Sequence, residues 1–160
     1  MTQAASRLEQ LLDLVQVLRD GSAFYAAAAG EADAIERRDL LRLLADTKTL
    51  MARDLVTLVP TREADTAREG ATIGAVRDAY IRCRIALRAR HDGEFARALL
   101  ATERRVLDAL WDALCAARDP SVQHVLERQY GRAVQAHERI RDLLRTVTTE
   151  QFLPGRAAAA

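Results

Sequence analysis

Apolar residues recur at three- and four-residue steps along most of the chain, the spacing that places side chains on one face of an α-helix. Five segments show this pattern, at residues 8–29, 40–58, 73–87, 95–114 and 122–147. Helix-favouring Ala, Leu, Arg and Glu dominate, and the chain contains only seven Gly and three Pro. The pattern therefore predicts an all-α protein.

The predicted helices are separated by turns and by one longer connection. The chain is expected to turn at residues 33–38, to form a polar loop at residues 60–70 and to break again at residues 91–94. Asp119 followed by Pro120 is typical of a helix start, with Asp as the N-cap and Pro in the first helical position. Residues 1–150 are predicted to form one domain, and residues 151–160 a flexible C-terminal tail.

The order of the elements predicts how they pack. Two helices are joined tightly, a longer connection carries its own helix, and two more tightly joined helices follow. Short links favour antiparallel neighbours, and one long crossover between the second and third bundle helices is the ferritin-like topology. We therefore predict a ferritin-like four-helix bundle with an additional helix in the crossover. An up-and-down bundle of five comparable helices is the alternative.

The first helix is apolar on more than one side. Beside its main stripe it carries a second one that includes Val17, Gly21, Phe24 and Ala28. Such a helix has an extra neighbour, which is either another copy of the chain or the crossover helix. Gly21 is expected at the point of nearest approach, because glycine in a helix is otherwise unfavourable by about 1 kcal/mol relative to alanine.

Charge and composition restrict the expected partners and location. The formal net charge is +1, so no global field attracts nucleic acid, and the arginines of residues 77–90 are expected to face solvent. No apolar run reaches the length of a membrane span, and the start of the chain does not resemble a signal peptide. Cys83 and Cys115 lack metal-type spacing and are expected to be free thiols. These features favour a cytoplasmic protein that needs no cofactor.

Several segments resemble a bacterial ferritin-like family of unassigned function. The resemblance is carried by residues 14–21 (LVQVLRDG), by Phe24-Tyr25, by Glu103-Arg104 and by residues 136–141 (AHERIR). In the wider superfamily it implies a di-iron centre, built from a Glu on each of two helices and a Glu-x-x-His motif on each of the other two.

This chain departs from the di-iron pattern. Val134 stands three residues before His137, where the motif requires Glu, and the second helix contains no His. Arg105 and Val106 follow Glu103-Arg104 where the family has Gly and a second Glu. Two iron ions need about four carboxylates and two imidazoles. The sequence therefore predicts a degenerate metal site without di-iron chemistry.

A few polar residues fall on the core faces, each near the middle of its helix. They are Ser22, Tyr25, Thr47, Lys48 at the edge of its face, Glu103 and His137. Midpoints come level in an antiparallel bundle, so we predict one central polar layer. A buried carboxylate at position 103 needs a partner, which His137, Lys48 or the Tyr25 hydroxyl could supply. The layer is interpreted as structural; a single-metal site of Glu103 and His137 and a proton-transfer site are the alternatives.

Two functions remain open at this point. The favoured hypothesis is a non-enzymatic helical module that self-associates or docks on another protein, because catalytic groups are lacking beside the central layer. The alternative is a metal-binding or redox bundle that uses Glu103 and His137.

Overall fold

The computed structural model describes residues 3–152, and within them the side chains of residues 5–149. Six helices are present in that part: α1 (Gln3–Glu31), α2 (Ile35–Val56), α3 (Thr61–Ala64), α4 (Ala71–Arg88), α5 (Asp92–Ala116) and α6 (Pro120–Phe152). No strand occurs between residues 3 and 152, which confirms the all-helical prediction. The tail was predicted to begin at residue 151, whereas α6 continues to Phe152. Residues 153–160 lie outside the described residues.

Local capping explains where α6 begins. The Asp119 Oδ1 atom accepts hydrogen bonds from the Ser121 amide at 2.8 Å and from the Ser121 hydroxyl at 2.6 Å. These bonds lower the pKa of the Asp119 carboxyl, the hydroxyl bond having the larger effect. Pro120 is the first helical residue because its missing N–H would have had no partner there. The helix start predicted from Asp119-Pro120 is confirmed.

Three helix boundaries differ from the prediction. α2 begins at Ile35, inside the predicted turn, and α5 begins at Asp92, where Asp92 and Glu94 favour the positive end of the helix dipole. The connection predicted as a loop contains the single turn α3, whose first bonds run from the amides of Glu63 and Ala64 to the Pro60 carbonyl. Pro60 is thus the N-cap of α3, four residues after α2 ends at Val56.

Four long helices form a ring in the order α1, α2, α6, α5, and α4 packs outside it against α1 and α5. Three-residue links join α1 to α2 and α5 to α6, so each pair is an antiparallel hairpin. Ion pairs join Asp20 to Arg77 and Glu31 to Arg84. The paired residues follow the same order along both helices, so α4 runs parallel to α1. Consequently α2 and α5 point in the same direction, and α4 carries the chain back between them.

The second apolar stripe of α1 is covered by α4. Phe24 stacks on Tyr80 of α4, with ring centroids 4.4 Å apart and an interplanar angle of 19°. Val17, Gly21 and Ala28 are buried. Of the two neighbours left open by the sequence, the crossover helix is the one that packs on Val17, Gly21, Phe24 and Ala28. One core cluster extends through all five long helices, and Val17, Phe24 and Ala28 of the stripe belong to it or pack against it.

Gly21 is the place where α1 lies closest to the Tyr80 side chain. A methyl group added at Gly21 would lie 2.6 Å from the Tyr80 hydroxyl oxygen and 3.5 Å from the ring carbon that carries it. The first distance is a clash and the second is ordinary contact. Glycine is therefore required here by the hydroxyl of Tyr80.

We predict that the effect of Gly21→Ala on the free energy of unfolding changes sign with the residue at position 80. In the wild type the clash should exceed the helix-propensity gain and destabilise the fold by about 1–2 kcal/mol. With Tyr80→Phe the hydroxyl is absent, and Gly21→Ala should stabilise by about 0.5–1 kcal/mol. Urea unfolding of the four proteins measures both effects.

Gly131→Ala is the matched control, because a methyl group there has nothing within 4 Å. It should stabilise the protein in both backgrounds. Equal effects of Gly21→Ala in the two backgrounds would contradict the assignment.

Candidate functional site

Glu103 is a buried carboxylate at the middle of the bundle. It lies on the inner face of α5 between Leu99 and Val106, and only 1% of its surface is exposed. The Tyr25 hydroxyl donates to Oε1 at 2.7 Å, and the Lys48 ammonium donates to Oε2 at 2.5 Å. α1, α2 and α5 thus each contribute one polar group to a single cluster. Its Lys48–Glu103 part is called the central ion pair below.

Lys48, the only lysine of the chain, is fully buried. The buried positions of α2 before and after it fall on the same helix face, which carries its stem inward. The stem passes beside Gly21, where an added methyl group would lie in ordinary contact with the Lys48 Cγ, at 3.6 Å. An isolated buried ion costs several kcal/mol, whereas a well-bonded pair offsets most of this cost. Each charge is therefore tolerated only because the other is present.

Aromatic rings enclose one side of the ion pair. Tyr25 makes edge contacts with Phe24 and Tyr80, at centroid distances of 5.2 and 6.0 Å. Burial, reinforced by the nearby Glu103 carboxylate, raises the pKa of both tyrosine hydroxyls well above the ordinary value. Both phenols are consequently neutral at physiological pH, and Tyr25 can act as a hydrogen-bond donor.

The Tyr80 hydroxyl is buried and has no hydrogen-bond partner among the described residues. A buried polar group without a partner costs about 1–3 kcal/mol. Sequence reasoning placed Tyr80 only in the apolar stripe of α4. The glycine at position 21 was the one signal of its position, because a mid-helix glycine indicates that a bulky group approaches.

Cys83 is an inert thiol beside this cluster. Its sulfur lies 3.8 Å from the Thr102 hydroxyl oxygen, and burial raises its pKa to about 11. A thiol that stays protonated at neutral pH is a poor nucleophile. Neither cysteine forms a disulfide, as predicted, and Cys115 is exposed.

Half of the predicted polar layer is brought together, and half is not. Tyr25, Lys48 and Glu103 form the cluster. Ser22 instead shares a hydrogen bond of 2.6 Å with the Thr49 hydroxyl, and Thr47 donates to the Leu43 carbonyl at 2.8 Å within its own helix.

His137 is half-buried and makes no hydrogen bond or ion pair with Glu103 in the described part of the chain. α6 turns Ala133, Ala136 and Ile140 toward the core, so position 137 lies at the edge of its buried face. α2 contacts both α1 and α6, and its buried face is centred nearer Lys48 than Thr47. Adjacent residues point about 100° apart around a helix. Misplacing the centre of a buried face by less than one residue is therefore enough to bring Thr47 or His137 into the predicted layer.

A second polar group joins α2 to α6 and was not predicted. Gln129 is fully buried and donates to the Asp54 Oδ2 atom at 3.1 Å, and Arg132 donates to the same oxygen at 2.7 Å. Arg132 is the main cause of the lowered pKa of Asp54. Arg132 also donates to the Gln129 Oε1 atom at 2.9 Å, so the three side chains bond to one another and join α2 to α6.

The donor set at the centre does not suit a metal ion. Glu103 is the only fully buried carboxylate among the described side chains, and both of its oxygens are engaged. No group of three or more His, Cys, Asp or Glu side chains lies together within the described residues. A cation at Glu103 would have to displace the Lys48 ammonium.

Comparison of the chain with known protein families, curated proteins and solved structures finds no match. Function therefore has to be inferred from the residues themselves. Within residues 3–152, no helix is both long and apolar enough to cross a membrane.

We predict that removing one member of the ion pair is much worse than removing both. Lys48→Met leaves the Glu103 carboxylate buried without its cation and should destabilise the protein by about 3–5 kcal/mol. The double variant Lys48→Met/Glu103→Leu should recover most of this loss, apart from the roughly 1–3 kcal/mol that the Tyr25 hydroxyl costs when it is left without its acceptor. Urea unfolding followed by circular dichroism gives the free energies.

Arg104→Ala is the control for loss of an ion pair as such, because Arg104 and Asp108 are 68% and 60% exposed. It should change stability by less than about 1 kcal/mol. If Lys48→Met is no worse than Arg104→Ala, the buried pair does not constrain the fold.

We predict a loss of stability at alkaline pH. The pKa values of Tyr25, Tyr80 and Cys83 are raised in the folded state, so above about pH 9 the unfolded chain loses these protons first. The folded state then binds more protons than the unfolded state, and the free energy of unfolding falls as pH rises. Urea titrations between pH 7 and pH 11 should show this decline, and Tyr80→Phe should make it shallower. An unchanged slope in Tyr80→Phe would argue against the assignment.

Proposed function

We propose that this chain is a non-enzymatic, ferritin-like helical module that acts by self-association or by docking on another protein. In this proposal the central ion pair occupies the middle of a degenerate metal site. The observation that carries it is the Lys48 ammonium bonded to Glu103, because a protein cation there takes the role that a metal ion has in the di-iron members of the superfamily.

The helix order supports the ferritin-like assignment. Two antiparallel hairpins, α1–α2 and α5–α6, are joined by a connection that returns along the bundle, so α2 and α5 are parallel. One long crossover of this kind is typical of ferritin-like bundles. The sequence segments that resemble the bacterial family lie in α1, α5 and α6.

The chemistry of the centre supports a non-enzymatic role. The cluster is enclosed by the core, and its members satisfy one another, apart from the Tyr80 hydroxyl beside it. The thiol nearest to it, Cys83, is protonated at neutral pH. No group within the described side chains combines an activated nucleophile with a base at this centre, which is the equipment that acid–base or covalent catalysis needs.

The surface supports a protein partner over nucleic acid. Arg77 and Arg84 on α4 form ion pairs with Asp20 and Glu31 of α1, which reduces their availability for phosphates. A net charge of +1 is close to zero, and low net charge favours association between copies. Isologous dimers are the commonest oligomers, so a second copy is the partner that we propose.

Metal content and mass in solution test this proposal together. The protein is purified without chelators or a metal-affinity step and examined by elemental analysis and by sedimentation equilibrium. We expect far less than one metal ion per chain, and a mass that rises with concentration toward twice the 17.7 kDa of one chain.

The alternative metal-binding or redox function makes the opposite prediction. Iron, zinc or manganese would then approach one ion per chain and be lost in both Glu103→Gln and His137→Ala. A mass that stays at one chain over all concentrations would contradict self-association.

A further inference from the structure

The outward face of α4 carries two exposed isoleucines. Ile81 and Ile85 are 58% and 63% exposed, the highest values among the large apolar side chains that the structure describes. They stand one helical turn apart and therefore form a single patch. The opposite face of the same helix covers α1 and α5, so this patch is not needed for the chain's own core.

Asp78 and Arg88 flank the patch along the helix, and the exposed Arg82 and Arg84 stand on its two sides. At 100° per residue, Asp78, Ile81, Ile85 and Arg88 fall within an arc of about 80° on α4. Their steps along the chain are three, four and three residues, so the spacing is the same in both directions. Reading from one end gives acidic, apolar, apolar, basic; reading from the other end gives the reverse.

We propose that two copies of this chain associate through this face of α4, antiparallel about a two-fold axis. Each Ile81 then packs against the partner's Ile85, and each Asp78 faces the partner's Arg88. This inference rests on the self-association proposed above and names its surface. A parallel pairing would place like charges opposite one another, which disfavours that arrangement.

The flanking charges are available for such contacts. Asp78 takes part in no ion pair within the described residues. Arg88 pairs with Glu31 at 2.9 Å, but Arg84 binds the same carboxylate. Arg88 can therefore turn toward a partner while Glu31 keeps a cation.

The size of the contact determines how strong the dimer should be. α4 has 18 residues and is about 27 Å long. A single pair of such helices buries less than the standard interface, so we expect a reversible dimer with a dissociation constant in the micromolar range or weaker. The measurement must therefore cover a wide range of concentrations.

Sedimentation equilibrium of apolar variants tests the surface. Ile81→Ser and Ile85→Ser should each raise the dissociation constant at least about tenfold. Leu43→Ser is the matched control, because Leu43 is also exposed, at 40%, but lies on α2. It should leave the dissociation constant unchanged, and the melting temperatures of all variants verify that they are folded.

Charge reversal tests the two-fold arrangement. Asp78→Arg should weaken the dimer because it places two arginines together, and Asp78→Arg/Arg88→Asp should restore it because each pair is merely inverted. Failure of the double variant to recover, while it remains folded, would overturn the antiparallel pairing.

The outcomes also separate this inference from the function on which it rests. A dimer that Ile81→Ser and Ile85→Ser leave intact would overturn the α4 surface and leave self-association standing. A dimer that Leu43→Ser dissociates would move the interface to α2. A wild-type chain that is monomeric throughout would overturn both.

Discussion

The arrangement of this bundle depends on one requirement, that Lys48 and Glu103 meet inside an apolar core. Neither charge can be buried alone, so α2 and α5 are compatible with burial only at the register that joins these two side chains. Tyr25 extends the requirement to α1 because its hydroxyl donates a hydrogen bond to the other carboxylate oxygen of Glu103. Apolar side chains could pack at several registers, whereas this cluster tolerates one. The polar centre therefore contributes specificity of alignment more than stability.

The crossover helix adapts to that centre. α4 covers the second apolar stripe of α1 and brings Tyr80 beside the cluster, where its hydroxyl meets the bare backbone of Gly21. Because α4 covers the second apolar stripe of α1, that stripe is not exposed to a partner. The most exposed of the large apolar side chains in the described part, Ile81 and Ile85, lie on α4 itself. The same helix thus closes the core on one side and exposes apolar residues on the other.

The helical class, the crossover helix and the burial of Glu103 could be predicted because they depend on long periodic patterns. The membership of the polar layer depended on single positions, and there the sequence was insufficient. Lys48 lies at the centre of the buried face of α2 and Thr47 lies beside that face, whereas their polarity alone favours the threonine as the core residue. Lys48 is buried because Glu103 lies opposite, a tertiary fact that the periodicity of α2 does not contain. His137 was misplaced for the related reason that α6 centres its buried face on Ala133 and Ala136.

The burial of Lys48 has a chemical consequence, because it is the only lysine in the sequence. All other basic side chains, apart from the histidines, are arginines, so the folded surface presents no side-chain primary amine to acylating reagents or to enzymes that modify lysine. Acylation of Lys48 has to await an opening of the bundle, and its rate would report how often α2 and α5 separate. Once acylated, the side chain is neutral and can no longer balance Glu103. A chain modified in this way while open would have lost the pairing that aligns it when it closes.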